Sequence, residues 1–238
     1  MSIAPKRRWF QFSLKAVLVG TMLVSVPLAW LAYERNEVRK REVAIAEIEK
    51  LGGTMEFNHA KPFRSGWLGP LSGDSTPGEI VEVNFTRQKV TDAELIHLAG
   101  LRELKSLFLQ GTMVTDAGLG NLAGLTELER LSLSSTLVTD AGLAKLTAFR
   151  KLEYLYLTHT QVTDEGLIQL NNLSELKLLD LNGTLVTDAG IPHFAKLKKL
   201  EALDLRATKV TKQVVSELQE ILPNVVVVND YNLHGLVD

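Results

Sequence analysis

Aspartates are the residues of this chain whose spacing most invites a chemical role. Five of them recur at intervals of 24 residues, at Asp92, Asp116, Asp140, Asp164 and Asp188. A row of carboxylates could bind calcium, but a calcium loop gathers its oxygen ligands within about 12 residues. One aspartate per 24 residues does not form such a loop. We therefore predict no metal site, and we expect each aspartate, or the threonine before it, to cap a short helix.

A second candidate is a catalytic pair formed by Asp180 and Asp204, which are also 24 residues apart. We expect Arg206 or water to offset the two charges. The histidines form neither a Ser-His-Asp arrangement nor a His-x-x-x-His pair; they are His59, His97, His159, His193 and His234. The chain has no cysteine, which excludes disulfides, thiolate nucleophiles and cysteine-based zinc sites. These observations predict a protein that is not an enzyme and needs no cofactor.

The aspartates belong to a longer repeated motif. The sequence V-T-D-A-G-L at 114–119 recurs unchanged at 138–143 and with one change each at 162–167 and 186–191. Weaker copies begin at Val90 and Val210. We expect its glycine either to permit a close approach or to adopt an unusual backbone angle. A fixed period of about 20–50 residues is typical of a solenoid, in which one supersecondary unit repeats along an axis.

Leucines recur at fixed positions around this motif. Leu128, Leu131 and Leu133 follow the pattern L-x-x-L-x-L, whose last step alternates as in a strand, whereas Leu119 and Leu122 lie three residues apart, as on one face of a helix. Each unit is therefore predicted to be a strand, a turn and a short helix, and stacked units share one core. The predicted fold class is an α/β solenoid with parallel strands on a concave face and short helices on a convex face.

This pattern resembles the leucine-rich repeat family over residues 80–228. The form V-T-D-x-G-L is similar to the cysteine-containing subtype of F-box-type adaptors, with threonine in place of cysteine at Thr112, Thr136, Thr160, Thr184 and Thr208. A hydroxyl both donates and accepts, so this row could satisfy backbone groups in the turn after each strand. An apolar N-terminal segment stands where an F-box would, and this combination resembles planctomycete-type membrane-attached repeat proteins of bacteria.

The N-terminal segment 16–33 contains no charged residue. As a helix it would span about 27 Å, close to the ~30 Å hydrocarbon core of a bilayer. We predict a single transmembrane helix there, after a cytoplasmic basic tail at 1–15. A cleaved signal peptide is one alternative, but Trp30 and Pro27 stand where cleavage needs small residues. A buried globular helix is the other, and it fits poorly with so long an uncharged run. Basic residues flank both ends, and we predict the N-terminus inside and the repeats outside the cytoplasm.

Four segments follow the predicted membrane span. Residues 34–52 are predicted to form a juxtamembrane helix, which packs locally or stands solvated; the alternative is weak pairing with a second chain. Residues 53–79, rich in proline, glycine and serine, are predicted to cap the open end of the solenoid. Six repeats of 24 residues occupy 80–223, and 224–238 form a C-terminal cap with a last strand at 225–228.

The residues between the strand leucines differ from repeat to repeat and are predicted to face the concave surface. Exposed aromatic side chains are enriched at the hot spots of protein interfaces, and charged residues surround them in this sequence. The predicted partner-binding residues are Phe108, Arg130, Tyr154, Tyr156, His159, Asp180, Asp204 and Arg206. The alternative is that these side chains only pack against one another across strands.

The formal net charge of −2 gives no basic face for nucleic acid. We therefore predict a membrane-anchored leucine-rich-repeat protein whose concave face binds a protein partner. Two alternatives remain open. The same aromatic residues could bind a glycan or the cell wall, or the protein could be a structural envelope component without a ligand.

Overall fold

A computed structural model describes residues 14–58 and 78–231 of the chain. The chain divides into two compact units, 1–39 and 40–238. Three predicted segments lie partly outside the described residues. These are the basic tail, the N-terminal cap over 59–77 and the C-terminal cap beyond residue 231.

The first unit consists of helix α1, Leu14–Lys50, as far as Arg39. The predicted membrane span at 16–33 lies in this helix, and its side chains Met22, Val26 and Leu28 are exposed. Within the described residues, no helix is both long enough and apolar enough to cross a membrane.

The second unit contains one sheet of eight strands that follow each other in chain order. Strand β1, Thr54–Asn58, runs antiparallel to β2, Glu79–Asn84. All later pairs of neighbouring strands are parallel. Each strand residue pairs with the residue 24 positions later in the sequence, so that Leu107 aligns with Leu131 and Leu131 with Leu155. The later strands are β3 Ser106–Phe108, β4 Arg130–Ser132, β5 Tyr154–Tyr156, β6 Leu178–Asp180, β7 Ala202–Asp204 and β8 Val226–Val228.

Short helices connect the parallel strands. The motif V-T-D-x-G-L forms one α-helical turn in three coils, and a 3-10 helix follows each of these turns before the next strand. The α-helices are α2 Asp116–Leu119, α3 Asp140–Leu143, α4 Asp164–Leu167 and α5 Lys212–Ile221. The 3-10 helices are Glu94–Gly100, Gly120–Leu122, Ala144–Ala148, Ile168–Asn172 and Asp188–Lys196.

Strand and helix leucines meet in one continuous core, as the 24-residue pattern predicts. Leu131 and Leu133 of one coil and Leu143 and Leu146 of its helical side are completely buried in it. Burial of this kind contributes about 2 kcal/mol per leucine relative to exposure. The predicted α/β solenoid of stacked strand–turn–helix units is confirmed by this register of strands and leucines.

The threonine row satisfies backbone groups within each coil, as expected. Thr136 Oγ1 donates to the Leu133 carbonyl at 2.5 Å, and Thr160 Oγ1 donates to the Leu157 carbonyl at 2.7 Å. Both hydroxyls are buried. The equivalent bonds of Thr112, Thr184 and Thr208 are also present. Each threonine therefore closes the turn that ends its strand.

The threonine of the motif caps the helix, which is one of the two expected assignments, and the aspartate has a different role. Thr139 caps α3, because its hydroxyl accepts from the Ala141 N–H at 3.3 Å. Asp116 instead bonds to the next coil, where its Oδ1 accepts from the Thr139 N–H at 2.8 Å and its Oδ2 from the Thr139 hydroxyl at 2.7 Å. The same bonds join five successive pairs, from Asp92 and Thr115 to Asp188 and Thr211. We call this the aspartate ladder.

The end of helix α1 closes the first coil of the second unit. Ala44 and Ile48 are buried in the common core, with Ile45 and Leu51 packed beside them. Gly52, at φ +74°, ends the helix, and a side chain at Gly53 would lie 2.6 Å from Cε1 of Phe85. Part of the predicted juxtamembrane helix therefore packs locally and contributes to the cap.

Candidate binding surface

Alternate residues of the strands point away from the core and form two rows across the sheet, which we call the open face. The first row runs through Glu82, Ser106, Arg130, Tyr154, Leu178, Ala202 and Val226. The second row runs through Asn84, Phe108, Ser132, Tyr156, Asp180, Asp204 and Val228. Glu56 and Arg206 lie at the margins of this face, the former opposite Glu82 and the latter after β7.

Strand β5 provides the centre of the open face with two tyrosines. Tyr154 and Tyr156 are both half-buried. Burial raises the pKa of the Tyr156 phenol, and the neighbouring Asp180 raises it further, whereas Arg130 lowers it. Within the described residues, neither phenol oxygen has a hydrogen-bond partner, so both are available to solvent or to a ligand.

Arg130 lies against the tyrosine beside it in the first row. Its guanidinium carbon lies 5.3 Å from the centroid of the Tyr154 ring, which is a cation–π distance. The guanidinium therefore occupies one side of that ring.

Phe108 is separated from the tyrosines by one strand. Ser132 lies between Phe108 and Tyr156 in the second row, which separates them by two strand spacings, or about 9.6 Å. Ser132 retains only 5% of its exposure because the larger side chains around it exclude solvent. The three aromatic residues therefore line one patch and do not form a contact cluster.

The carboxyl-terminal half of the open face is acidic. Asp180 and Asp204 are direct neighbours in the second row. Asp204 Oδ1 accepts from the backbone N–H and from Nε of Arg206, each at 3.0 Å. Asp180 Oδ1 accepts from the Asn182 N–H at 2.9 Å. Arg206 therefore pairs with Asp204, as expected, and Asp180 accepts only a hydrogen bond from the backbone.

A second acidic pair lies at the opposite end. Glu56 of β1 faces Glu82 of β2 across the antiparallel pair. Burial raises the pKa of the Glu82 carboxyl and Glu56 raises it further, while Arg130 lowers it.

At the carboxyl-terminal end of the face, the hydrogen bond to Asp204 is the main cause that raises the pKa of Arg206.

His159 lies beside the open face in a left-handed backbone conformation, at φ 54°. The same position of the other coils also has positive φ and is occupied by Arg87, Gly111, Ser135, Gly183 and Ala207. The His159 ring lies over Gly183, where any side chain would overlap its Nδ1. His159 is exposed and follows strand β5 at the margin of the open face. The glycines at two positions of this register are a sequence signal that predicts the left-handed turn.

Among the residues that the structure describes, no group of three or more histidine, aspartate or glutamate side chains is placed to hold a metal ion. The aspartates of the ladder each bond to a threonine of the next coil, which occupies the oxygens that a cation would need.

No protein-family model and no curated protein matches the sequence. Solved structures similar to this chain include an internalin, inlF, from Listeria monocytogenes, with 25% identity and a TM-score of 0.49 over 60% of this chain and 38% of the internalin. Internalin C2, inlC2, from the same species has 19% identity and a TM-score of 0.42 over 66% of this chain and 87% of its own. This chain spans well under half the length of the first internalin. The solenoid fold therefore rests on the strand register and the buried leucines.

Proposed function

We propose that the repeat unit binds a protein partner through the open face, which the sequence predicts to be concave. The observation that carries the proposal is the pair of half-buried tyrosines on β5 with Arg130 held over Tyr154. Tyrosine and arginine are enriched where truncation to alanine costs most binding energy. The proposal includes no catalytic step and no cofactor.

The rigidity of the strands supports this function. Strand β5 is hydrogen-bonded to β4 on one side and to β6 on the other. Both tyrosines therefore start from a fixed backbone, and a partner would lose little free energy by ordering them. Recognition would then depend on side chains that are already in place.

The position of Arg130 favours a protein over a glycan. A sugar would stack on an uncovered aromatic face, but the guanidinium of Arg130 already occupies one face of Tyr154. Glycan or cell-wall binding would instead use the second face of that ring or Tyr156. Pull-downs of the protein on polysaccharide and on whole-cell protein extract distinguish these two functions. A structural envelope protein without a ligand would show only self-contacts after crosslinking in membranes.

The direct test replaces Phe108, Tyr154 and Tyr156 together by alanine. We expect this variant to lose capture of an identified partner, because the patch loses its apolar area and the ring beneath Arg130. A matched control replaces three exposed apolar residues of the connecting turns, Met113, Leu137 and Leu185, by alanine. Thermal melts check that both variants fold. Equal partner capture by both variants would contradict the proposal.

Attachment to a membrane is the further part of the proposal, and it is supported by the uncharged sequence at 16–33 alone. A segment of this length and composition is typical of a single span. We propose that the N-terminus stays inside and that the repeats lie outside the cytoplasm, where the partner would also be found.

A further inference from the structure

We infer that the partner presents a basic amphipathic segment, which lies across strands β5–β8. The apolar stripe of this segment contacts the first row of the open face, and its lysines or arginines lie over the second row. This inference rests on the proposed function, since it specifies which protein chemistry the open face recognises. Three observations carry it, and they concern the charge of the face, the free oxygen of one aspartate and the order of the two rows.

The open face and its margins carry more carboxylates than guanidinium groups. The carboxylates are Glu56, Glu82, Asp180 and Asp204, and the cations are Arg130, Arg206 and, at the margin, Arg87. Arg206 is paired with Asp204, and Arg130 lies over Tyr154. The remaining charge is negative at both ends of the face, which favours a cationic partner and steers its approach.

One carboxylate oxygen of Asp180 accepts no hydrogen bond from the described part of the chain. Its Oδ1 accepts from the Asn182 N–H, but no donor among the described residues bonds to its Oδ2. The side chain is half-buried between Tyr156 and Asp204 in the second row. A lysine or arginine of a partner would supply the missing donor in a charge-assisted hydrogen bond.

The first row beside these carboxylates is apolar. Tyr154, Leu178, Ala202 and Val226 follow one another across four parallel strands, and Val226 keeps 49% of its exposure. Four strands span about 14 Å, which is the length of roughly ten helical residues. The second row lies about 7 Å to the side, two residues along each strand. An amphipathic helix matches these two rows, because it carries a stripe of apolar residues with charged residues beside it.

The test uses the full-length chain and three synthetic amphipathic helical peptides with the same leucine positions. Their polar positions are all lysine, all glutamine or all glutamate. Binding is measured by fluorescence anisotropy at low and at physiological salt. We expect the lysine peptide to bind more tightly than the glutamine peptide, the glutamate peptide not to bind, and salt to weaken the lysine complex.

Two substitutions with the same charge change identify the site. Asp180→Asn keeps the oxygen that accepts from Asn182 and removes the charge, so we expect roughly tenfold weaker binding of the lysine peptide. Glu220→Gln changes an exposed carboxylate on helix α5 and should leave binding unchanged. The variant Tyr154→Ala should weaken both the lysine and the glutamine peptides.

Other outcomes overturn the inference. Equal weakening by Asp180→Asn and Glu220→Gln would show attraction by net charge alone. Equal binding of the lysine and glutamine peptides, lost in Tyr154→Ala, would refute the basic partner but leave the open face as a protein-binding surface. Failure of the lysine peptide to bind would also refute the inference, while the triple-alanine test with an identified partner would still decide the proposed function.

Discussion

At the scale of single residues, the aspartate ladder explains the glycine of the repeated motif. Gly142 is buried in α3, and a side chain there would overlap Asp116 Oδ1 and lie 2.8 Å from Cγ1 of Val138. The glycine is therefore needed for a close approach between coils and not for an unusual backbone angle. The same relation holds for Gly118 with Asp92 and for Gly166 with Asp140.

This contact predicts the effect of adding one methyl group. Gly142→Ala should lower the free energy of unfolding by about 1–3 kcal/mol, because the aspartate must move away from Thr139 or the coils must separate. Gly120→Ala is the matched control, since nothing lies within 4 Å of its added side chain and alanine favours helix. Urea unfolding followed by circular dichroism measures both. A Gly142→Ala protein as stable as Gly120→Ala would contradict this account of the glycine.

At the scale of secondary-structure elements, two kinds of ladder join successive coils. The aspartate ladder uses half-buried carboxylates that each accept two hydrogen bonds from the next coil, as Asp140 does from Thr163. A second set joins lysines and glutamates one repeat apart, in pairs such as Lys151 with Glu127. The lysines and glutamates are largely exposed, so solvent screens their attraction.

We expect the two ladders to contribute unequally to stability. Asp140→Ala leaves the Thr163 N–H and hydroxyl without their acceptor and should lower the free energy of unfolding by about 2–4 kcal/mol. Lys151→Ala removes an exposed ion pair and should change it by less than about 1 kcal/mol. Urea unfolding of both variants and of the native chain checks this ranking. A larger loss for Lys151→Ala would mean that the surface pairs hold the coils together.

At the scale of the whole molecule, the prediction concerns membrane attachment. Val26→Asp places a charge within the predicted span 16–33, which costs about 3 kcal/mol near the centre of a bilayer. We expect the native chain to stay in the membrane pellet after alkaline carbonate extraction and Val26→Asp to appear in the supernatant. Val43→Asp, an exposed position of the same helix beyond the span, is the control and should stay in the pellet.

Protease treatment of intact cells then tests the orientation. Digestion of the repeats from outside would agree with an extracytoplasmic repeat unit, and protection of the repeats in intact but not in lysed cells would contradict it. Recovery of the native chain in the supernatant would contradict attachment itself.

Much of the fold could be predicted because the residues that determine it recur at a fixed period in the sequence. The leucine pattern around 114–138 repeats every 24 residues, and a chain with that period can bury its leucines only by stacking equal coils. The same period placed the open-face residues correctly on alternate positions of the strands, from Phe108 to Asp204. Local chemistry also predicted that each buried threonine would bond to a backbone carbonyl near its strand end.

Other features depended on distances that no local pattern contains. Three examples are the hydrogen bonds between Asp116 and Thr139, the packing of Ile48 in the core of the first coil, and the position of the His159 ring over Gly183. Each joins residues that are at least 23 positions apart. Their geometry follows from how tightly neighbouring coils stack and from the side-chain rotamers that this spacing allows. The sequence by itself therefore determined the repeating scaffold and its exposed row, because periodic burial leaves few solutions. Tertiary packing decided which hydrogen bonds join the coils and which acceptors, such as Asp180 Oδ2, the described chain leaves for a partner.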